Sequence, residues 1–353
     1  MTSTPLVTPL YDTHVSYGAK MIDFSGYMLP VWYSSVREEH SAVRTGSGVF
    51  DISHMGVIRL SGANAETLLR HITCSATDKA RRGIMTYSMV LSPSGGILDD
   101  IMMGQASDNE WIVIANASNK VKIIDWIKQN NPDQVPVELI TTHAMIAVQG
   151  PQSAKLVGQV LGEQWGEIPR FAIRPIDYAG TPGYIMRSGY TGEDGFELII
   201  PNTAAPTLFT AIVQNGATPC GLASRDSLRV EAGLPLYGHE LSDTLTPLNT
   251  RYAWVVDWKG DFIGKTALAT QRDAGIPLVA VGIRCENKQI PRQGAVILEG
   301  GEVTSGTLPP DGDQAIGLAL VPSHLQKIGT PLSIQIRNNV VNAVVAALPF
   351  HKK

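Results

Sequence analysis

Short apolar runs, each closed off by glycine, proline or small polar residues, recur along nearly the whole chain, and this rhythm limits the fold more than any other feature. Runs of that length between turn residues suit strands, while a few longer amphipathic stretches suit helices. The spacing predicts helices over 36–42, 65–72, 118–128, 153–161, 204–214, 225–232 and 265–272. It predicts strands over 57–60, 86–91, 97–103, 111–115, 145–148, 184–187, 196–200, 279–283, 315–320 and 340–346. Helices and strands are mixed rather than strictly alternating, so the fold class is α+β. From about residue 276 the pattern is almost purely strand and turn, which predicts a C-terminal all-β barrel or sandwich with its boundary near 275.

At 353 residues the chain exceeds what one hydrophobic core usually serves, and two or three domains are expected. The 44% hydrophobic and 17% charged content is that of an ordinary globular protein able to bury a sizeable core. A net charge of -4 argues against nucleic acid as a partner, since phosphate binding relies on clustered lysine and arginine. The one local basic run is Lys79-Ala80-Arg81-Arg82. Cys74, Cys220 and Cys285 are far apart, with no Cys-x-x-Cys spacing, so neither a disulfide framework nor a metal site is expected. The first ten residues lack the basic and apolar regions of a signal peptide, and no eighteen apolar residues run together. No membrane association and a reducing cytoplasm are the expectations.

Several residues stand out as carriers of chemistry. Gly95-Gly96-Ile97-Leu98-Asp99-Asp100-Ile101 sets two carboxylates inside an apolar, strand-like segment, where charge is costly unless paired or used. Adjacent strand residues point to opposite faces, so the two aspartates do different jobs; a strand opening at an acid-capped turn is the alternative. Glu197 is the sole charge in Phe196-Glu197-Leu198-Ile199-Ile200 and wants a partner offering two parallel N–H donors. An arginine fits, and so does a heterocycle with an amino group beside a ring N–H.

The glycine-rich stretch from Ser188 to Gly195 matches no dinucleotide or P-loop spacing and reads as a long hairpin connection. Arg225 and Arg229, four apart on a predicted helix, suit an acidic ligand or, equally, the neighbouring Asp226 and Glu231. Tyr237 offers a hydroxyl or an aromatic wall, or plain packing. Asp51-Ile52-Ser53-His54-Met55 lacks the further ligands of a metal site and the sharp turn of a nucleophile, so His54 is expected to be a hydrogen-bonded structural histidine. Thr304-Ser305-Gly306-Thr307 reads as a turn.

In this order, these segments resemble the folate-binding T-protein family of the glycine cleavage system. The matching pieces include Thr8-Pro9-Leu10-Tyr11-Asp12-Thr13-His14, Met21-Ile22-Asp23-Phe24-Ser25-Gly26-Tyr27-Met28-Leu29-Pro30, Glu38-Glu39-His40 and Phe50-Asp51-Ile52-Ser53-His54-Met55. They continue through the acidic pair, Val148-Gln149-Gly150-Pro151, Gly189-Tyr190-Thr191-Gly192-Glu193 and the block from Arg225 to Gly238. Asp261-Phe262-Ile263-Gly264-Lys265 and the Thr304 to Thr307 run complete the match, which spans nearly the whole chain. The chain departs from the family at Tyr27, where tryptophan is common, at Leu308-Pro309-Pro310-Asp311-Gly312, and at Arg251-Tyr252-Ala253-Trp254.

The resemblance implies a three-domain cloverleaf around a central folate channel. Residues 1–275 would form two intertwined α+β domains, the second near 50–145, and 276–353 the β-barrel. It implies transfer of the methylene of an aminomethyl group from the lipoyl arm of H-protein to tetrahydrofolate, with release of ammonia, and no metal. Asp99 would be the catalytic acid at the folate nitrogens. Glu197 would hold the pterin and Arg225 would contact folate, with Tyr190 lining the pocket. Arg229 and Tyr237 would lie near it, and Met55, Tyr87 and Asn116 would form its walls or pack in the core. Two other readings keep the same family: a tetrahydrofolate-dependent demethylase of a small methylated compound, and a non-catalytic folate-binding assembly or repair protein.

Overall fold

Each predicted strand and each predicted helix has a counterpart in the computed structural model, which describes residues 4–178 and 180–351. A small sheet in the order β1-β3-β2 is built from β1 (Leu6–Val7), β2 (Lys20–Phe24) and β3 (Tyr27–Trp32). A six-stranded sheet comprises β4 (Gly48–Asp51), β10 (His143–Gln149), β11 (Ile173–Tyr178), β12 (Thr181–Met186), β13 (Gly195–Pro201) and β14 (Thr218–Pro219), ordered β11-β12-β13-β10-β4-β14. A five-stranded sheet, β6-β7-β8-β5-β9, comprises β5 (Gly56–Ser61), β6 (Thr86–Leu91), β7 (Ile97–Ser107), β8 (Glu110–Ala115) and β9 (Val137–Leu139). The C-terminal sheet, β16-β17-β15-β19-β18, comprises β15 (Leu278–Cys285), β16 (Glu302–Thr307), β17 (Ile316–Pro322), β18 (Pro331–Ile336) and β19 (Asn339–Ala346).

The helices are α1 (Tyr11–Ser16), α2 (Val36–Thr45), α3 (Ala65–Ile72), α4 (Lys120–Gln129), α5 (Ser153–Leu161), α6 (Glu163–Gly166), α7 (Ala205–Gln214), α8 (Leu222–Ala232) and α9 (Lys265–Ala274). By proximity the chain divides into two compact units. The first takes the chain through Leu69, then Thr77–Tyr87 and Ile101–Arg225; the second takes Arg70–Ala76, Ser88–Asp100 and the chain from Asp226 onward. Among the described residues no helix is long and apolar enough to cross a membrane.

In the first unit, alternation along β4, β10 and β13 sends Val49, Ile146, Val148, Phe196, Leu198 and Ile200 into one core with Leu156 of α5 and Leu208, Phe209 and Ile212 of α7. Each such side chain contributes about 1.5–3 kcal/mol by burial. The ladder pairs Ala147 with both Phe50 and Glu197, and Glu197 with Met186, so these four share the opposite face. A slip of one residue would drive Glu197 into the helix-packed core, and burial of the apolar row therefore fixes where the carboxylate points.

In the second unit the C-terminal sheet is antiparallel throughout and buries one face, with Ile283, Val303, Val321, Leu332, Ile334, Val341, Ala343 and Val345 in its core. Val296 bridges to Glu302 beside the edge strand β16, and Ile297 bridges to Ile334 of the other edge strand, β18. One short segment thus bridges to both edge strands of the curled sheet, which forms a half-barrel. Two expectations are corrected. The Thr304 to Thr307 run is not a turn: it belongs to β16, with a bulge between Val303 and Ser305, and Gly306 is needed there because a Cβ would lie 1.9 Å from the Pro291 carbonyl oxygen. The helix expected from Arg225 starts at Leu222, which places Arg225 in its first turn.

Candidate active site

The glycine-rich connection between β12 and β13 is a braced loop. Arg187 grips Asp194 with two bonds, Nε to Oδ1 at 3.1 Å and Nη2 to Oδ2 at 2.6 Å. Burial raises the Asp194 carboxyl, but the hydrogen bonds and charge of Arg187 outweigh it and hold the group below the usual carboxylate range. From α2, Arg44 donates to the Thr191 carbonyl at 2.8 Å and to Glu193 Oε1 at 3.0 Å. The buried Gln149 side chain fills the loop, donating to the Ser188 carbonyl at 3.0 Å and accepting from Thr191 Oγ1 at 3.0 Å. A Cβ at Gly189 or Gly195 would come within 1.8 or 2.2 Å of that glutamine, so the glycines make room for a side chain, not for a phosphate.

This bracing positions Tyr190 and Glu197. Ser188 Oγ donates to Glu197 Oε2 at 2.5 Å, while Oε1 takes no hydrogen bond from the described residues. Ala147, the ladder neighbour of Glu197, is small and leaves the carboxylate room. The Arg225 guanidinium lies over the Tyr190 ring, 4.9 Å from its centroid. Burial lowers the pKa of Arg225, and the Glu197 charge works against that loss. Arg225 Nη1 is buried and has no hydrogen-bond partner. A carboxylate oxygen of β13 and a guanidinium N–H of α8, close enough for their charges to interact, are thus both left open.

Arg225 is held in place from a distance in sequence. Glu39, fully buried in α2, accepts from the Tyr33 amide at 2.6 Å and the Ser34 amide at 3.2 Å through Oε1. Its Oε2 accepts from the Gly221 amide at 2.8 Å and Ser224 Oγ at 3.0 Å, which fastens the start of α8. Gly221 packs so closely that a Cβ would sit 2.4 Å from the Val31 carbonyl oxygen. Sequence reasoning missed Glu39; a carboxylate in the apolar-facing row of α2 was the available signal.

Met55 and Asn116 flank the register pair Gly56–Ala115 of β5 and β8, which brings these two predicted wall residues side by side. Tyr87 lies half-buried in β6. His54 differs from expectation. The buried histidine that bonds Asp51 is His14, at 2.9 Å, with Thr8 Oγ1 donating to the same oxygen at 2.6 Å and the Ser53 amide to Oδ1 at 2.9 Å. Burial raises the Asp51 carboxyl, yet His14 and these donors bring it below its ordinary value.

His54 is 4% exposed and its Nδ1 has no partner. Lys120 Nζ donates to the His54 carbonyl at 3.1 Å and to the Tyr27 hydroxyl at 2.8 Å, so the tyrosine that replaces the usual tryptophan supplies an acceptor for a lysine. Burial pulls the His54 pKa down to about 4, with Asp51 opposing and Arg225 and Lys120 adding to the fall.

In the second unit, the turn between β6 and β7 is shaped by its two glycines. Gly95 has φ +87°. A Cβ at Gly96 would lie 1.9 Å from the Asp243 carbonyl oxygen, and the Ile97 amide donates to the Leu245 carbonyl at 2.9 Å. The 243–245 segment therefore lies directly on the acidic hairpin. Asp99 is fully buried and Asp100 half-buried, as alternation along a strand requires. The Tyr237 hydroxyl donates a very short hydrogen bond to Asp243. Its pKa is raised by burial, by that bond, and then by the charges of Asp243, Asp99 and Asp100. Asp243 bonds the hydroxyl directly, and the charges of Asp99 and Asp100 reach it as well.

Arg229 is 1% exposed and its guanidinium is spent on the protein: Nε donates to Asp226 at 2.8 Å, Nη1 to Glu240 at 2.7 Å and Nη2 to Ser305 Oγ at 2.6 Å. Of the alternatives open in the sequence, the partnership with Asp226 is present. Among the described residues no group of three or more histidine, cysteine, aspartate or glutamate side chains is placed to hold a metal.

Comparison with known proteins adds to this geometry. The family model described as the GCVT N-terminal domain matches residues 10–260, and the glycine cleavage T-protein C-terminal barrel domain matches residues 279–352. The chain is 37% identical to an aminomethyltransferase of Prochlorococcus marinus, over 98% of each chain. It is 39% identical to one from Rippkaea orientalis, over 99% of this chain and 98% of that one. Among solved structures, the glycine cleavage system aminomethyltransferase T from Bartonella henselae superposes with a TM-score of 0.92 at 30% identity, covering 98% of both chains.

Proposed function

The chain belongs to the glycine cleavage T-protein family and is a tetrahydrofolate-dependent aminomethyltransferase, and from that premise we propose how its residues divide the work. Glu197 receives the pterin ring N–H and 2-amino group, with Oε1 open to one and Oε2 shared with Ser188. Arg225 donates to the pterin carbonyl through its open Nη1. Tyr190 lines the same pocket beneath the guanidinium, and Met55, Tyr87 and Asn116 form its walls. The observation that carries the folate assignment is this pairing of an open carboxylate oxygen with an open, buried guanidinium nitrogen, which matches the donor and acceptor order of a pterin edge.

Asp99 serves the reacting nitrogens. In the reaction the methylene exchanges its bonds to the lipoyl sulfur and the amino nitrogen for bonds to folate N5 and N10. The two protons shed by N5 and N10 leave on the dihydrolipoyl thiol and on ammonia. Cationic character builds at the methylene, and a buried carboxylate there stabilises it and relays a proton. The surrounding Asp100, Asp243 and Tyr237 strengthen the field without each touching the substrate. Arg229 supports the site indirectly by clamping α8 to Glu240 and Ser305.

The donor is the aminomethylated lipoyl arm of H-protein, and the exposed Lys79, Arg81 and Arg82 are the surface offered to that carrier. A reducing cytoplasm suits the three buried free cysteines. The test is to supply tetrahydrofolate and aminomethylated H-protein and to follow ammonia and methylenetetrahydrofolate. Stoichiometric formation of both supports the assignment; folate bound without either product refutes it.

A further inference from the structure

His54, expected to be a hydrogen-bonded structural histidine, has a buried ring nitrogen with no partner. A buried donor or acceptor left without a partner costs on the order of 1–3 kcal/mol, and native proteins tolerate this mainly where a ligand or water completes the bond. Two such atoms occur together in the first unit: His54 Nδ1 and Arg225 Nη1. They are chemically complementary yet not bonded to each other, since both are without a partner. What completes both is a group carrying a hydrogen-bond donor next to an acceptor.

The surroundings of His54 set which role it plays. Its ring meets Phe24 edge-on at 5.7 Å, its carbonyl is held by Lys120, and its charged neighbours are Asp51, Arg225 and Lys120. Burial, aided by the two cations, keeps the imidazole neutral at physiological pH, so it presents a lone pair, not a second proton. Resting on the folate reading above, we infer that His54 is a further folate-binding residue whose Nδ1 accepts a hydrogen bond from the N5–H of the bound reduced pterin, the ring N–H that flanks the carbonyl held by Arg225 on the side away from Glu197. The pair reads the carbonyl-bearing part of the ring, and Glu197 reads the amino edge.

The test uses the full chain and tetrahydrofolate kept under nitrogen. Isothermal titration of wild type, His54→Leu and His54→Asn is paired with their thermal midpoints, and the ring nitrogens of ¹⁵N-histidine-labelled wild type are followed by NMR through the same titration. His54→Leu is expected to bind folate about tenfold more weakly, as one lost hydrogen bond implies. Its KM for folate rises in step with the lost affinity. His54→Asn, whose side-chain oxygen falls near the Nδ1 position, recovers most of the affinity, and the wild-type Nδ1 resonance moves on saturation. Wild-type affinity in a folded His54→Leu variant, or an Nδ1 resonance unmoved at saturation, overturns the inference; the NMR arm decides even if the leucine variant does not fold. Absence of folate binding by wild type would instead overturn the folate reading itself.

Discussion

Glu197 and Asp99 are both single carboxylates on strands with apolar neighbours, and their surroundings set them apart. Glu197 shares its sheet face with a small residue and keeps one oxygen open, whereas Asp99 is fully buried. Mutation of the two is therefore expected to cause different losses. Glu197→Ala, measured by titration calorimetry with tetrahydrofolate, weakens binding about 10- to 100-fold, the range for hydrogen bonds to a charged group. Equal affinity in variant and wild type would remove Glu197 from the pterin site. The strand pattern and lone charge made Glu197 legible from sequence. His54 was not, because only the structure shows that Asp51 turns to His14 and leaves His54 Nδ1 without a partner.

At the scale of elements, the site depends on two braces. Glu39 satisfies three backbone amides and one hydroxyl that join β3 to the start of α8. Glu39→Ala leaves those buried donors unmet and is expected to cost about 2–4 kcal/mol in denaturant unfolding. Folate affinity falls with it as Arg225 shifts; an unchanged unfolding midpoint would contradict the bracing role.

The second brace is Arg187–Asp194. The folded-state pKa of Asp194 is depressed, so its contribution is fully present above the unfolded value of about 3.9 and is lost as pH falls through the folded value. Asp194→Asn should therefore lower the urea midpoint at pH 7, and the gap to wild type should close below about pH 4. A gap independent of pH would mean the ion pair is not its source. The amphipathic α2, α3, α5 and α7, the short apolar run of β13 and the alternating β19 were legible because their patterns are local. The N-terminal sheet, β4, β11 and β18 were not, since two-residue pairings, a strand containing Pro175, and edges satisfied by distant segments leave little periodic trace.

At the scale of the whole molecule, the C-terminal change of pattern near residue 275 coincides with the last helix giving way to β15, and the bridges through Val296 and Ile297 reach both edges of the curled sheet. Long-range contacts decide the site in the same way: no local pattern could show that Asp243 lies on Gly96, next to the acidic pair.

Net charge -4 leaves Lys79, Arg81 and Arg82 as a local basic surface, with Arg81 partly paired to Asp78 at 3.3 Å. Reversing Arg82 to glutamate is expected to raise KM for H-protein several-fold and to reduce its dependence on salt, with folate affinity unchanged. An unchanged KM would place the carrier elsewhere.

The division of labour between the carboxylates is tested most directly by Asp99→Asn, an isosteric change, assayed at once for folate affinity by calorimetry and for ammonia release from aminomethylated H-protein. Turnover is expected to fall about 100-fold or more, with folate affinity within about twofold of wild type. Retained turnover, or folate binding lost in step with it, would contradict the assignment of Asp99 to chemistry and of Glu197 to the pterin.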